Sequence, residues 1–163
     1  MRIGSIIEQV AAFQCATVCV TGGEPLAQKA CPDLLAALCN SGFSVSLETS
    51  GALDISGVDS RVARIMDLKA PDSGESAKNR WQNCDALTAH DEIKFVLASR
   101  ADYDWAVAAS HQHRLFARCP ILFSPVQGSL DPASLAQWIL DDGLPVRFQL
   151  QLHKVLWGNV KGR

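Results

Sequence analysis

The sequence predicts an α/β domain built on a parallel sheet, and three observations carry that prediction. Short apolar runs recur along the chain, separated by helical segments of roughly 10 to 15 residues, the rhythm of right-handed βαβ units. Chemistry-bearing residues fall just after those runs, at Thr21 to Glu24, Glu48 to Ser50, Lys69, Ser124 to Gln127 and His153. Those are the carboxyl ends of the strands, where parallel α/β folds bind ligands. Finally, 163 residues, 48% of them apolar, suffice to bury one sizeable core, so a single domain over 1–163 is expected.

Taken in order, Ile3, Ile6, Ile7, Val10, Ala11 and Phe13 recur at helical spacing and predict an opening amphipathic helix. Thr17 to Val20 is the first strand, and Leu26 to Asn40 a helix stopped by Ser41-Gly42. Phe43 to Leu47 is the second strand, and 52–60 is a turn-rich connection with little helical signal. Arg64 to Leu68 reads as a short buried strand ending at Lys69, followed by a loop with Pro71 and Gly74. Ser76 to Leu87 is read as helical, with Trp81 as its packing anchor. Glu92 to Leu97 is a strand, Ala101 to Gln112 a helix and Pro120 to Phe123 a strand. Asp131-Pro132 supplies an N-cap and a first-turn proline for a helix that packs Leu135, Trp138 and Ile139 and stops at Gly143. The alternation of Arg147 to Leu152 gives the last strand, and the tail from Trp157 to Arg163 is expected to pack over the sheet end.

Composition narrows the partners. A formal charge of −2, from 15 basic and 17 acidic residues, gives no electrostatic footprint for nucleic acid or an anionic membrane. A small molecule is the expected partner. Met1 to Val10 does not read as a signal peptide and no run reaches membrane-spanning length, so a cytoplasmic protein is expected. Cys15, Cys19, Cys31, Cys39, Cys84 and Cys119 lie mostly within apolar patterns and are read as reduced, buried small hydrophobes.

Taken singly, the strand-end residues leave two readings open. Thr21-Gly22-Gly23-Glu24-Pro25 is either an ordinary βα loop or a place where backbone and a carboxylate approach a ligand. Glu48 can accept from a pair of hydroxyls, with Ser50 beside it, or Thr49 and Ser50 can simply form a cap-like turn. Lys69 can pair with a carboxylate or stay solvated, Ser124 to Gln127 can be a ligand loop or a proline-stiffened turn, and His153 can be a ligand or a structural residue.

Thr21 to Pro25, Leu47-Glu48-Thr49-Ser50-Gly51, Asp67-Leu68-Lys69 and Ser124-Pro125-Val126-Gln127-Gly128 together resemble radical S-adenosylmethionine enzymes. Their order and spacing, with the closing Gln149 to Lys154 and Leu156-Trp157-Gly158-Asn159, resemble the 7-carboxy-7-deazaguanine synthase family in particular. The resemblance implies a partial (β/α)6 barrel. It implies that Gly22, Gly23, Glu24, Glu48, Ser50, Asp67, Lys69, Ser124, Pro125, Val126 and Gln127 bind S-adenosylmethionine. It gives Thr21, His153 and the terminal carboxylate of Arg163 to a pterin-like substrate. The implied reaction converts 6-carboxy-5,6,7,8-tetrahydropterin to 7-carboxy-7-deazaguanine, with a 4Fe-4S cluster and Mg2+ as the family's further cofactors.

The chain departs from that pattern where the cluster would sit. Cys15 and Cys19 have a three-residue gap, but Gly22 occupies the next position at the family's spacing. No cluster is expected there, and no magnesium ligand or catalytic residue is identified. Asp67 stands where many relatives carry serine. The sequence begins at a helix that follows the cluster loop and first strand of relatives, so an N-terminally shortened sequence is expected, with a bare sheet edge that invites a homodimer. Two rival readings follow: an inactive S-adenosylmethionine-binding remnant, and another radical enzyme of the superfamily, such as an activase.

Overall fold

The computed structural model describes residues 2–158 and residue 160. The chain forms α1 (Ile3–Ala11), β1 (Thr17–Val20), α2 (Cys31–Asn40), β2 (Ser44–Thr49) and β3 (Ala63–Lys69). There follow β4 (Glu92–Leu97), α3 (Arg100–Gln112), β5 (Ile121–Pro125), α4 (Pro132–Asp141), β6 (Arg147–Phe148) and α5 (Leu152–Trp157). The six strands are all parallel and lie side by side in chain order, β1 to β6, the succession expected of an opened βα barrel.

Side-chain alternation gives the sheet two unlike faces. Val45, Leu47, Met66, Leu68, Ile93, Phe95 and Leu97 are buried and join Leu35 and Leu38 of α2, Tyr103 and Ala106 of α3, and Leu135 and Ile139 of α4 in one core. Phe95, Phe123 and Tyr103 meet edge to face, with ring centroids 5.6 and 5.8 Å apart, and the Tyr103 hydroxyl lies 2.6 Å from Asp142 Oδ2, tying α3 to α4. Each such side chain contributes about 1.5–3 kcal/mol through burial. The alternate residues, among them Glu48, Asp67, Lys69, Glu92 and Lys94, are exposed or half-buried on an open face.

One charged pair is set into the covered side. Asp91, 1% exposed, accepts from Arg64 N, Nε and Nη2 at 2.8, 2.9 and 2.6 Å and from Thr88 N and Oγ1 at 2.7 and 2.9 Å. Every lone-pair direction of the carboxylate is thus used. Burial opposes its charge, but the bonds from Arg64 and Thr88 outweigh that and hold the carboxyl below its usual range.

Several expectations are corrected. The helix foreseen over 26–40 is a 3-10 turn, Pro25–Ala27, followed by α2, because Pro32 has no N–H to give and fits only a helix's first turn. The segment 76–87 is not an α-helix but two 3-10 pieces, Ser76–Lys78 and Trp81–Ala86, with Trp81 stacked 3.9 Å from His113. The last strand is two residues rather than six. Gln149 N donates to Phe123 O at 2.9 Å, and the next ladder bond would need an N–H from Pro125, which has none. In the tail expected to pack over the sheet end, Trp157 and Val160 are exposed, and 159 and 161–163 lie outside the described residues. Cys15 and Cys19 are exposed and Cys39 is half-buried; only Cys31, Cys84 and Cys119 are buried as expected.

Candidate functional site

The carboxyl ends of β1, β2 and β3 converge on the open face. After β1, Gly22 and Gly23 take φ of +102° and +61°, a left-handed pair that side chains other than glycine rarely adopt, and the turn lays bare backbone at the sheet edge. Glu24 then folds back as the cap of the Pro25–Ala27 turn. Its carboxylate accepts from Leu26 N at 3.1 Å, from Thr49 Oγ1 at 2.9 Å, from Ser50 N at 2.8 Å and from Ser50 Oγ. Burial opposes its charge, but the bonds from Ser50, Thr49 and Leu26 prevail and lower its pKa. The first carboxylate of the site is therefore a clamp between the ends of β1 and β2.

Glu48 is differently placed. It is exposed on the open face, and Thr21 Oγ1 donates to its Oε2 at 3.3 Å. On β3, Lys69 Nζ lies 2.6 Å from Asp67 Oδ2, while Asp67 Oδ1 is out of contact with water and has no hydrogen-bond partner among the described residues. Burial pushes the Asp67 carboxyl up, against the pull of Lys69 and Lys94. Thr21, Gly23, Glu48, Thr49, Ser50, Ile65, Asp67, Lys69 and Lys94 line a cleft of about 100 Å³. Asp67 and Lys69 also line an adjoining cleft of about 440 Å³, shared with Val126 and Gln151. The two form a trough along the strand ends.

The remaining expected residues are distributed more loosely. Ser124 is fully buried and its Oγ has no partner among the described residues. Pro125 is buried in β5, Val126 N donates to Leu97 O at 2.8 Å, and Gln127 is exposed. Gly22 faces an apolar pocket of about 340 Å³ between α1 and α2 rather than the trough. His153 lies in the first turn of α5, exposed, and not at a strand end as expected. Arg163 lies outside the described residues.

Sequence reasoning passed over the residues that shape the trough from behind. Asn79 accepts from Lys69 N and donates to Lys69 O, both at 2.9 Å, fixing the end of β3. Asn83 donates to Gly51 O at 2.9 Å and Leu53 O at 2.7 Å. Gly51, with φ of +69°, leaves only 2.7 Å between a would-be Cβ and Met66 Cγ. Gln151, whose Oε1 is buried without a partner among the described residues, belongs to the larger cleft. Lys94 was legible: in Glu92-Ile93-Lys94-Phe95-Val96-Leu97 the alternation sets it opposite the apolar residues.

A cluster does not fit the described residues. Cys15 lies in the turn before β1, where its Sγ is 3.5 Å from Thr17 O, and Cys19 points from β1 to the open face. No group of three His, Cys, Asp or Glu side chains among the described residues is placed to hold a metal. S-adenosylmethionine is a better match, because the trough offers an uncommitted carboxylate, partnerless buried oxygens and bare glycine backbone to a ligand rich in N–H and O–H donors.

No family model matches the chain. A 7-carboxy-7-deazaguanine synthase of Chlorobaculum tepidum is 48% identical over 160 residues, covering 96% of this chain and 73% of that protein. The enzyme of the same name from Koribacter versatilis is 42% identical over 152 residues, covering 85% of this chain and 67% of that protein. Among solved structures, QueE from Escherichia coli superposes with a TM-score of 0.70 at 18% identity, over 93% of this chain and 64% of that one. Streptococcus suis SuiB, solved bound to S-adenosylmethionine, gives 0.59 at 13% identity, over 91% of this chain and 43% of that one. These structural likenesses establish the fold.

Proposed function

The chain belongs to the 7-carboxy-7-deazaguanine synthase family, and from that premise we propose that it works on the family's ligands, S-adenosylmethionine and 6-carboxy-tetrahydropterin, in the ring contraction that yields 7-carboxy-7-deazaguanine. The observation that carries the proposal is the convergence of Thr21, Gly23, Glu48, Ser50, Asp67 and Lys69 from three strand ends on one trough.

Within that reading, Glu48 accepts from the ribose hydroxyls, since Thr21 alone occupies it in the described structure. The carbonyl of Gly23 takes the ammonium group, because Glu24 is already filled by Thr49, Ser50 and Leu26 and Gly22 lines the other pocket. Ser124 to Gln127 approach the adenine and ribose, and Thr21 and His153 touch the pterin. The described residues offer no ligand set for a cluster. A cytoplasmic location, a single domain and a homodimer through the β1 edge, which among the described residues has a strand neighbour on one side only, complete the reading.

A second reading, a module that binds these ligands without catalysis, is favoured by one observation: Cys15 and Cys19 have no third donor beside them among the described residues. Iron and sulfide measured after anaerobic reconstitution decide between the two.

Calorimetry tests the ligand site itself. Glu48→Gln is expected to weaken S-adenosylmethionine by about tenfold, the worth of one charge-assisted bond. His153→Ala should weaken the pterin and leave S-adenosylmethionine untouched; unchanged pterin affinity removes His153 from the site.

A further inference from the structure

We propose that Lys94 is the residue of the trough that binds a ligand carboxylate, a role that rests on the reading above and that position alone would give to Lys69. Among the described residues, the strands carry six charged side chains on the open face: Glu48, Asp67, Lys69, Glu92, Lys94 and Arg147. Lys69 is held on Asp67 at 2.6 Å, and Arg147 pairs with Glu92. Two charges are left over, the Glu48 carboxylate and the Lys94 ammonium, and both line the same cleft.

Lys94 stands at the middle of the sheet, in register with Asp67 of β3 on one side and Leu122 of β5 on the other. It is half-buried, and among the described residues its ammonium makes no hydrogen bond or ion pair. Asp67 is the carboxylate in register with it on β3, but the Oδ2 of that carboxylate is taken by Lys69. An ammonium partly withdrawn from water without a partner is costly, and the arrival of an anion recovers that cost. One spare positive charge on a flexible stem suits a monoanionic carboxylate, whereas a phosphate would call for an arginine fork or several cations. The cleft thus matches a ligand with hydroxyl or amino donors toward Glu48 and a carboxylate toward Lys94. Both ligands proposed above carry one carboxylate, on the methionine end of S-adenosylmethionine and on C6 of the pterin.

Calorimetry on the 163-residue chain with four ligands separates the sources. The pairs are 6-carboxy-tetrahydropterin against tetrahydropterin, and S-adenosylmethionine against its decarboxylated form. The wild-type chain is expected to prefer the carboxylated member of one pair by about tenfold, and Lys94→Gln to collapse that preference while Lys94→Arg keeps most of it. Collapse in the pterin pair assigns the ammonium to the pterin, and collapse in the other pair to S-adenosylmethionine. Preferences that survive Lys94→Gln in both pairs overturn the assignment and leave the trough's function standing. A wild-type chain that binds none of the four overturns the function of the trough and the Lys94 assignment with it. Should Lys94→Gln not fold, Lys94→Met, which keeps the aliphatic stem, takes its place.

Discussion

Strand β3 shows how differently the two faces of this sheet treat charge. On its covered side, Arg64 is buried and meets an Asp91 whose every acceptor is used. On its open side, three residues along the same strand, Asp67 keeps one oxygen without a partner among the described residues and lies beside a Lys94 that has none among them. A fold that saturates a buried ion pair at one end of a strand is able to saturate another. Among the described residues, Asp67 Oδ1 and the Lys94 ammonium keep unused bonding capacity on the open face while the Arg64–Asp91 pair is fully bonded, and that separates a pair that holds the fold from groups with capacity to spare.

The sharpest way to break the comparison is Asp91→Ala, which strands the Arg64 guanidinium in the core. A loss of about 3–5 kcal/mol in unfolding free energy is expected from denaturant titration. A loss below about 1 kcal/mol would mean that the covered face is no better satisfied than the open one.

Glu24→Gln tests the one site carboxylate that behaves like the covered face. It keeps the shape but weakens the bonds from Thr49, Ser50 and Leu26, and a loss of about 1–3 kcal/mol is expected together with weaker ligand binding. The same change at Glu48, exposed and held by a single long bond, should move stability by no more than about 0.5 kcal/mol.

Acid sharpens the contrast further. Glu24 and Asp91 titrate below their ordinary values of 4.5 and 3.8, so the unfolded chain takes up their protons more readily than the folded one. The stability they contribute is complete above those values and is lost as pH falls from about 4.5 downward through the folded pKa values. Thermal melts in the wild type should show that fall, and Asp91→Ala should flatten it; identical acid profiles would remove the pair from the account.

Much of this was legible in the residues themselves. Alternation and spacing placed the strands and the open strand ends, and Asp131 caps its helix as the Asp-Pro pair foretold, accepting from Ser134 N at 2.9 Å. What failed was non-local. The shortness of β6 depends on a proline in the neighbouring strand, which no reading of 147–152 by itself could include. The 3-10 pieces at 76–87 are pinned by Asn79 and Asn83 bonding to backbone of β3 and of the loop after β2, a tertiary override of weak local preference. Glu24 and Glu48 look equivalent in the chain, each a carboxylate after an apolar run, and only the donors on the adjacent strand end tell them apart.

The strand order has a consequence for how the molecule comes into being. Because each strand lies beside the one next in sequence, every pairing closes a loop of comparable, moderate length, Thr17 with Ser44 and Ile93 with Ile121 among them. Closure entropy grows slowly with loop length, so no single pairing dominates the kinetic barrier, and the sheet assembles as a succession of near-neighbour dockings. As the chain leaves the ribosome, each new strand finds its template already in place, and the two-residue β6 joins last and opens first.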